Sequence, residues 1–361
     1  MPLSRRLFLG GLAAAGPVAA AQPNKSEQSE TDRANHAYQV RVDAAQLERD
    51  APDVAHLNNG DEDRYPSKIG NYSKGLPHND VGEVDLNAYN TLSRAIATGQ
   101  PADFEAITMG MADQALQRKF VNPQAGMAFN LEGADPQRLA MPPAPAFSSA
   151  EQAADVVELY WQALARDVPF SDYATHPITQ AAAAELSMLS GYQGAKVNGR
   201  VDSTTLFRGF TAGDSMGPYL SQFLLKSIPF GVQFVEQKML TVQSGRDYMT
   251  DYAEWLSIQN GSTPATAGAF DPVRRYVRNG RDMAQWVHID VLFQAYFNAM
   301  LMMIAGPDPN DKDTGGGMKV PLSAANPYIK SRTQQGFGTF GEPAYAAATA
   351  EIATAALKAV W

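Results

Sequence analysis

The sequence predicts a mainly α fold, and three observations predict it. Apolar residues recur at helical spacing in several long segments, sustained apolar/polar alternation is scarce, and helix-start signals precede the periodic stretches. Residues 57–83 are dense in Gly, Asn, Asp and Pro, which favour turns by positive φ, side-chain-to-backbone bonds or a fixed φ, so they read as an irregular surface layer. Pro142-Pro143-Ala144-Pro145 makes a stiff connector. Ser148 and Glu151 after it have capping-box spacing, with Ser148 at N-cap and Glu151 at N3. The helix they open carries Ala153, Val156, Val157, Tyr160 and Leu164 on one stripe. Further helices are expected over part of Thr204 to Leu225, broken at Gly217-Pro218, and over Tyr248 to Gln259.

Arg281 to Ile304 is apolar nearly all round, apart from a narrow row of Asp290, Gln294 and Asn298 at i, i+4 and i+8. Such a helix is expected deep in a core, with its polar row meeting partners on neighbouring helices. Its four polar side chains, His288 included, argue against a membrane span. Pro343 to Trp361 opens on a proline suited to a first turn and runs through alanine-rich sequence. Its stripe of Ile352, Ala355, Ala356, Ala359 and Val360 reaches the last residues without a closing signal, so the chain is expected to stop inside an element.

At the N-terminus, Ser4-Arg5-Arg6-Leu7-Phe8-Leu9-Gly10 leads into an apolar stretch ending Ala19-Ala20-Ala21. Paired arginines, then apolar residues, then small residues is the order of a twin-arginine signal peptide, here residues 1–21 with cleavage after Ala21. Residues 22–37 follow as a polar linker, and one helical domain is expected over 38–361. The expected location is periplasmic or extracellular.

A net charge of −9 argues against nucleic acid as a partner. The absence of cysteine excludes disulfides, thiolate metal sites and a lipid-modified cysteine, and suits surroundings rich in oxidants. His36, His56, His78, His176 and His288 have no partners at metal-ligand spacing, and no G-x-S-x-G elbow occurs. Gly336-Phe337-Gly338-Thr339-Phe340-Gly341 matches G-x-G-x-x-G but follows a polar run instead of a strand, which favours a turn over a dinucleotide site. Asp61-Glu62-Asp63 could meet calcium or form a solvated acidic turn. Arg274, Arg275, Arg278 and Arg281 could hold an anion, or they could pair Asp271 and Asp282. His288 fits a hydrogen-bonded core histidine better than a catalyst.

The strings RRYVRNGRDMAQWVHIDVLFQAYFNAM (274–300) and SRTQQGFGTFGEP (331–343) resemble the vanadium-dependent haloperoxidases of bromoperoxidase type. LNNGDEDRYPSKIGNYSKGLPHND (57–80) and GPYLSQFLLKSIPFGVQ (217–233) fit the same family, so the resemblance runs from about Tyr38 to Trp361. It implies a helical-bundle haloperoxidase-like fold related to acid phosphatases, often homo-oligomeric. It also implies vanadate as cofactor, with halide and hydrogen peroxide as substrates. In the family, the lysine and arginine that begin the vanadate pocket follow a helix like the one ending at Lys358-Ala359-Val360-Trp361, and serine-glycine-histidine and arginine-histidine motifs come later. None of these motifs occurs here, so no catalytic, cofactor-binding or metal residue is assigned. The expectation is the N-terminal part only of an exported haloperoxidase, truncated before the vanadate motifs, inactive and binding no vanadate by itself. The alternatives are a phosphatase-like member of the same superfamily and a secreted non-enzymatic helical assembly protein.

Overall fold

A computed structural model describes residues 29–361 except 114, 129–134, 210–212, 265–267, 292 and 307–318. The proposed signal peptide therefore lies outside the described residues. Ten α-helices and one two-stranded sheet are described, bearing out the mainly α expectation.

Residues up to Asp53 form one unit and Val54–Trp361 another. The first contains α1, Glu30–Asp50, so helix begins inside the segment 22–37 that the sequence marks as polar linker. Local chemistry explains the difference: Ser29 Oγ accepts the Asp32 N–H at 3.0 Å, and Glu30 and Asp32 sit where the helix dipole favours anions. No residue of α1 is buried, so its helix rests on propensity and capping, which an apolar-period search does not register.

In the second unit, α2 (Asp61–Arg64) interrupts the irregular layer. α3 (Leu86–Thr98) and α4 (Pro101–Glu105) follow. Asp85 caps α3 by accepting the Ala88 N–H at 2.8 Å, and Gly99 ends it at φ 63°, a left-handed conformation that glycine adopts without a side-chain clash. Ala88, Tyr89, Leu92 and Ala95 face inward at helical spacing and form one apolar core with Leu76, Val84, Phe104 and Ile107.

The second core lies between α5 (Ala150–Ala165) and α6 (Pro177–Met188). The cap of α5 is Ser149, one residue after the expected Ser148, and its side chain accepts the Gln152 N–H at 3.0 Å. The buried seam of α5 is also displaced from the predicted stripe. Ala154 and Ala165 are buried, with Val157 and Trp161 packed against the cluster, whereas Val156, Tyr160 and Leu164 are exposed. Ala154 and Ala165 share one buried cluster with Ala182 and Ala183 of α6, and small side chains on both helices let the two backbones approach.

Among the described residues of 204–225 no α-helix forms; turns and one short 3-10 segment, Gln222–Leu224, take its place. Gly213 and Gly217 both adopt positive φ there, Pro218 has no N–H to continue a helix, and the Arg208 side chain donates to the carbonyls of Asp214 and Gly217. The strands β1 (Ile228–Phe230) and β2 (Gln233–Val235) form an antiparallel hairpin with Ile228 opposite Val235. α7 covers Tyr252–Gln259, capped by Asp251, so helix starts four residues later than Tyr248.

The long helix expected from Arg281 to Ile304 is two helices, α8 (Gly280–His288) and α9 (Gln294–Ile304). The Gln294 side chain accepts the Val291 N–H at 3.0 Å, forming a local turn that starts α9. That bond uses the side chain expected to reach a neighbouring helix, and Asp290 falls in the break, so the polar row is not continuous. Nor is this segment deep in a core: Met302 is fully buried, but Val287, Ile289, Val291 and Tyr296 are exposed. α10 spans Glu342–Val360 and packs on α9 and on two short helical turns, Ala125–Met127 and Pro136–Arg138. Of the predicted stripe Ala355 and Ala359 are half-buried but Ile352, Ala356 and Val360 are exposed, while Tyr345, Thr349, Ala353 and Leu357 are half-buried, so the contact face only partly matches the predicted one. No described helix is long and apolar enough to cross a membrane.

Leu186 is wholly buried at the centre of the α5/α6 core. Leu186→Ala is expected to destabilise the chain by about 2–5 kcal/mol, through lost transfer energy and a residual cavity, as read by urea unfolding. An exposed control, Leu164→Ala, should change stability by less than about 1 kcal/mol.

Candidate functional site

The arginine cluster at the start of α8 is the densest charge constellation that the sequence reading singled out. Asn279 caps α8 by accepting the Asp282 N–H at 3.0 Å, which places Asp282 in the first turn. Asp282 is fully buried, and it accepts from Arg278 through the backbone N–H (3.1 Å), Nε (2.8 Å) and Nη2 (3.3 Å). Arg275 donates Nε to Asp271 at 3.0 Å. Both pairings are those that the sequence reading set against an anion site.

Arg281 finds a partner that the sequence reading missed. Its Nε and Nη2 donate to the two carboxylate oxygens of Asp167 at 2.6 and 2.8 Å, a two-pronged contact, and its Nη1 donates to the Arg246 carbonyl at 2.7 Å. Asp167 also accepts the Gly245 N–H at 3.0 Å. Arg281 is only 8% exposed. Backbone bonds lace the same place together: Arg281 N–H donates to the Arg166 carbonyl (2.8 Å) and Phe170 N–H to the Arg278 carbonyl (3.0 Å). Arg166 in turn pairs with Asp247. Asp167 lies 114 residues before Arg281, so no local spacing could have revealed the pair.

The hydrogen bond from Arg281 is the largest influence on the Asp167 carboxyl and, despite partial burial, holds it down to about 2. Arg274 is exposed, while Arg275, Arg278 and Arg281 each face a carboxylate. This arrangement fixes backbone segments and leaves little net positive charge. Vanadate in a protein needs several cationic donors and a histidine nitrogen. The cluster does not fit that need: its guanidinium donors are directed at aspartates, and His288, the histidine of the same helix, ends α8 on an exposed face.

The other candidates resolve in the same direction. Asp61 is buried, accepting the Phe147 N–H at 2.7 Å and Arg64 Nη1 at 3.3 Å, so the acidic triplet opens α2 as an anchor for a distant loop. No group of acidic or histidine side chains able to hold a metal occurs among the described residues. The Gly336–Gly341 segment is a tight turn leading into α10, where Phe337 pairs with Phe340. A Cβ at Gly336 would overlap the Phe340 carbonyl, so this glycine serves the turn itself. The Phe340 carbonyl also accepts from Asn326 Nδ2 (3.1 Å) and Tyr345 Oη (2.7 Å).

Asp167→Asn should lower stability at neutral pH by about 1–3 kcal/mol, because Arg281 is buried and loses its counter-charge while Asp167 itself is partly exposed. The wild-type carboxyl titrates below its ordinary value of 3.8, so its stabilising share is complete above that value and is lost as pH falls through about 2. Acid unfolding followed by circular dichroism should show this dependence in the wild type and its loss in the variant.

No family model matches the chain. It is 35% identical over 318 residues to the vanadium-dependent bromoperoxidase of Ascophyllum nodosum, covering 86% of this chain and 54% of that protein. It is 30% identical over 395 residues to that of Corallina officinalis, covering 91% and 64% respectively. A solved structure, the homohexameric second vanadate-dependent bromoperoxidase of Ascophyllum nodosum, superposes with a TM-score of 0.79 at 29% identity, over 96% of this chain and 57% of that one. The chain thus spans a little over half the length of the relatives it matches. Over the length that it shares with them, the chain is similar in sequence and fold to the vanadium-dependent bromoperoxidases.

Proposed function

We propose that these 361 residues are the N-terminal, scaffold part of an exported vanadium-dependent haloperoxidase, and that the chain alone neither holds vanadate nor oxidises halide. The relatives' names support oxidation of halide by hydrogen peroxide as the reaction of the complete protein, in preference to the phosphatase-like reading. The observation that carries the second clause is the pairing of Arg275, Arg278 and Arg281 with Asp271, Asp282 and Asp167. An incoming oxyanion would have to displace a carboxylate from each, against short and partly buried charge-assisted bonds. Bound vanadate would supply Lewis-acid activation of peroxide; here Arg281 instead holds α8 against the segment after α5, and Arg275 and Arg278 pair locally.

Export rests on the Arg5-Arg6 signal, whose route carries folded proteins. Self-association is part of the same reading, supported by the homohexamer of the solved relative. Light scattering after size exclusion should give a mass that is a multiple of the protomer's.

The purified 361-residue chain is expected to leave the vanadium NMR line of added orthovanadate unchanged. Given bromide and hydrogen peroxide, it should brominate a phenol dye no faster than vanadate without protein. Saturable, vanadate-dependent bromination by this chain would overturn the reading.

A further inference from the structure

With no cysteine in the chain, methionine thioethers are the softest targets for a two-electron oxidant, and the fourteen methionines are unequally placed. Met302 is fully buried in α9, and Met109 and Met127 pack against the core formed by α3. Met188 and Met216, by contrast, are 78% and 76% exposed. We propose that Met188 and Met216 are sacrificial oxidation sites, converted to sulfoxide by hydrogen peroxide before the packed methionines and without loss of the fold. The inference takes only the class of oxidant from the proposed function.

The chemistry balances without a cofactor. A sulfur lone pair attacks one peroxide oxygen, the S–O bond forms as the O–O bond breaks, and the second oxygen leaves as water after proton transfer. Sulfur is oxidised by two electrons and the peroxide is reduced.

Backbone around both sites is fixed independently of the sulfur. Met188 ends α6, directly after Ser187, whose Oγ donates to the Ala183 carbonyl (2.7 Å) and accepts the Val201 N–H (2.9 Å). Leu186, one position earlier still, is wholly buried. Met216 lies between Asp214 and Gly217, whose carbonyls accept from Arg208 at 3.2 and 2.5 Å. A sulfoxide dipole added to either side chain would be solvated by water and would displace no core atom. At Met302 the same dipole would be buried without a partner, and oxidation there must wait for local opening of the structure.

The test treats the 361-residue chain with limiting hydrogen peroxide, without vanadate or halide, and maps sulfoxide by peptide mass spectrometry. Met188 and Met216 should be oxidised at least about tenfold faster than Met302 and Met127. The unfolding midpoint should stay unchanged while these two alone are modified. In the double variant Met188→Leu/Met216→Leu, sulfoxide on the remaining methionines at the same dose should rise at least about twofold. Equal rates at Met302, a midpoint that falls as Met188 and Met216 react, or an unaltered burden on the other methionines in the double variant would each overturn the proposal. Because no halide is present, the outcome does not depend on whether the chain has peroxidase activity.

Discussion

The contact between Arg281 and Asp167 is the constraint on which the arrangement of the second core and α8 depends. Asp167 lies just past the end of α5, and Arg281 is in the first turn of α8, so one ion pair joins segments far apart in sequence. Taking two charges out of water is costly, and such a pair persists only when its remaining donors and acceptors are also satisfied. Here they are: Nη1 of Arg281 reaches the Arg246 carbonyl, and the second oxygen of Asp167 also accepts from Gly245. The segment 245–246 is thereby drawn to the same point. Three stretches of chain meet around one carboxylate, and the guanidinium is committed to architecture instead of ligand capture.

How much could be read from residue order divides along a physical line. Features fixed within one turn of chain were the more legible: a serine cap for α5, found one residue after the expected Ser148, and a proline start for α10. Which face of a helix turns inward was less so. On α5 the larger apolar residues predicted a stripe through Tyr160 and Leu164, yet the buried seam uses Ala154 and Ala165, because close approach to α6 favours small side chains. The division of α8 from α9 was hidden because an apolar run continues through a break made by the Gln294 side chain and its own turn. The paired state of Arg275 and Arg278 was open to inference at a separation of four residues, and that of Arg281 was not. The family resemblance, carried by long mixed strings, proved more informative about kinship than any short motif.

The two apolar cores are each built largely from neighbouring elements. Around α3, the members extend from Leu76 to Ile107, and around α5 and α6 they extend from Ala154 to Leu206. Local closure of this kind asks little loop entropy of the chain. Both cores are therefore suited to early formation, with the Asp167 contact and the packing of α9 added across longer separations.

The docking of α10 has a consequence for the order of assembly. This nineteen-residue helix packs on the turns Ala125–Met127 and Pro136–Arg138 as well as on α9, and the backbone of Trp361 comes close enough to Gly126 to leave a side chain there little room. Leu92, Ile96 and Phe120 line a cleft of about 660 Å³ whose other wall is Ala359 to Trp361. A ribosome delivers that wall more than two hundred residues after the first. Throughout that interval the α3 core must carry an uncovered apolar flank. A chaperone or early self-contact that shields this flank would govern the yield of folded chains without altering the final structure's stability.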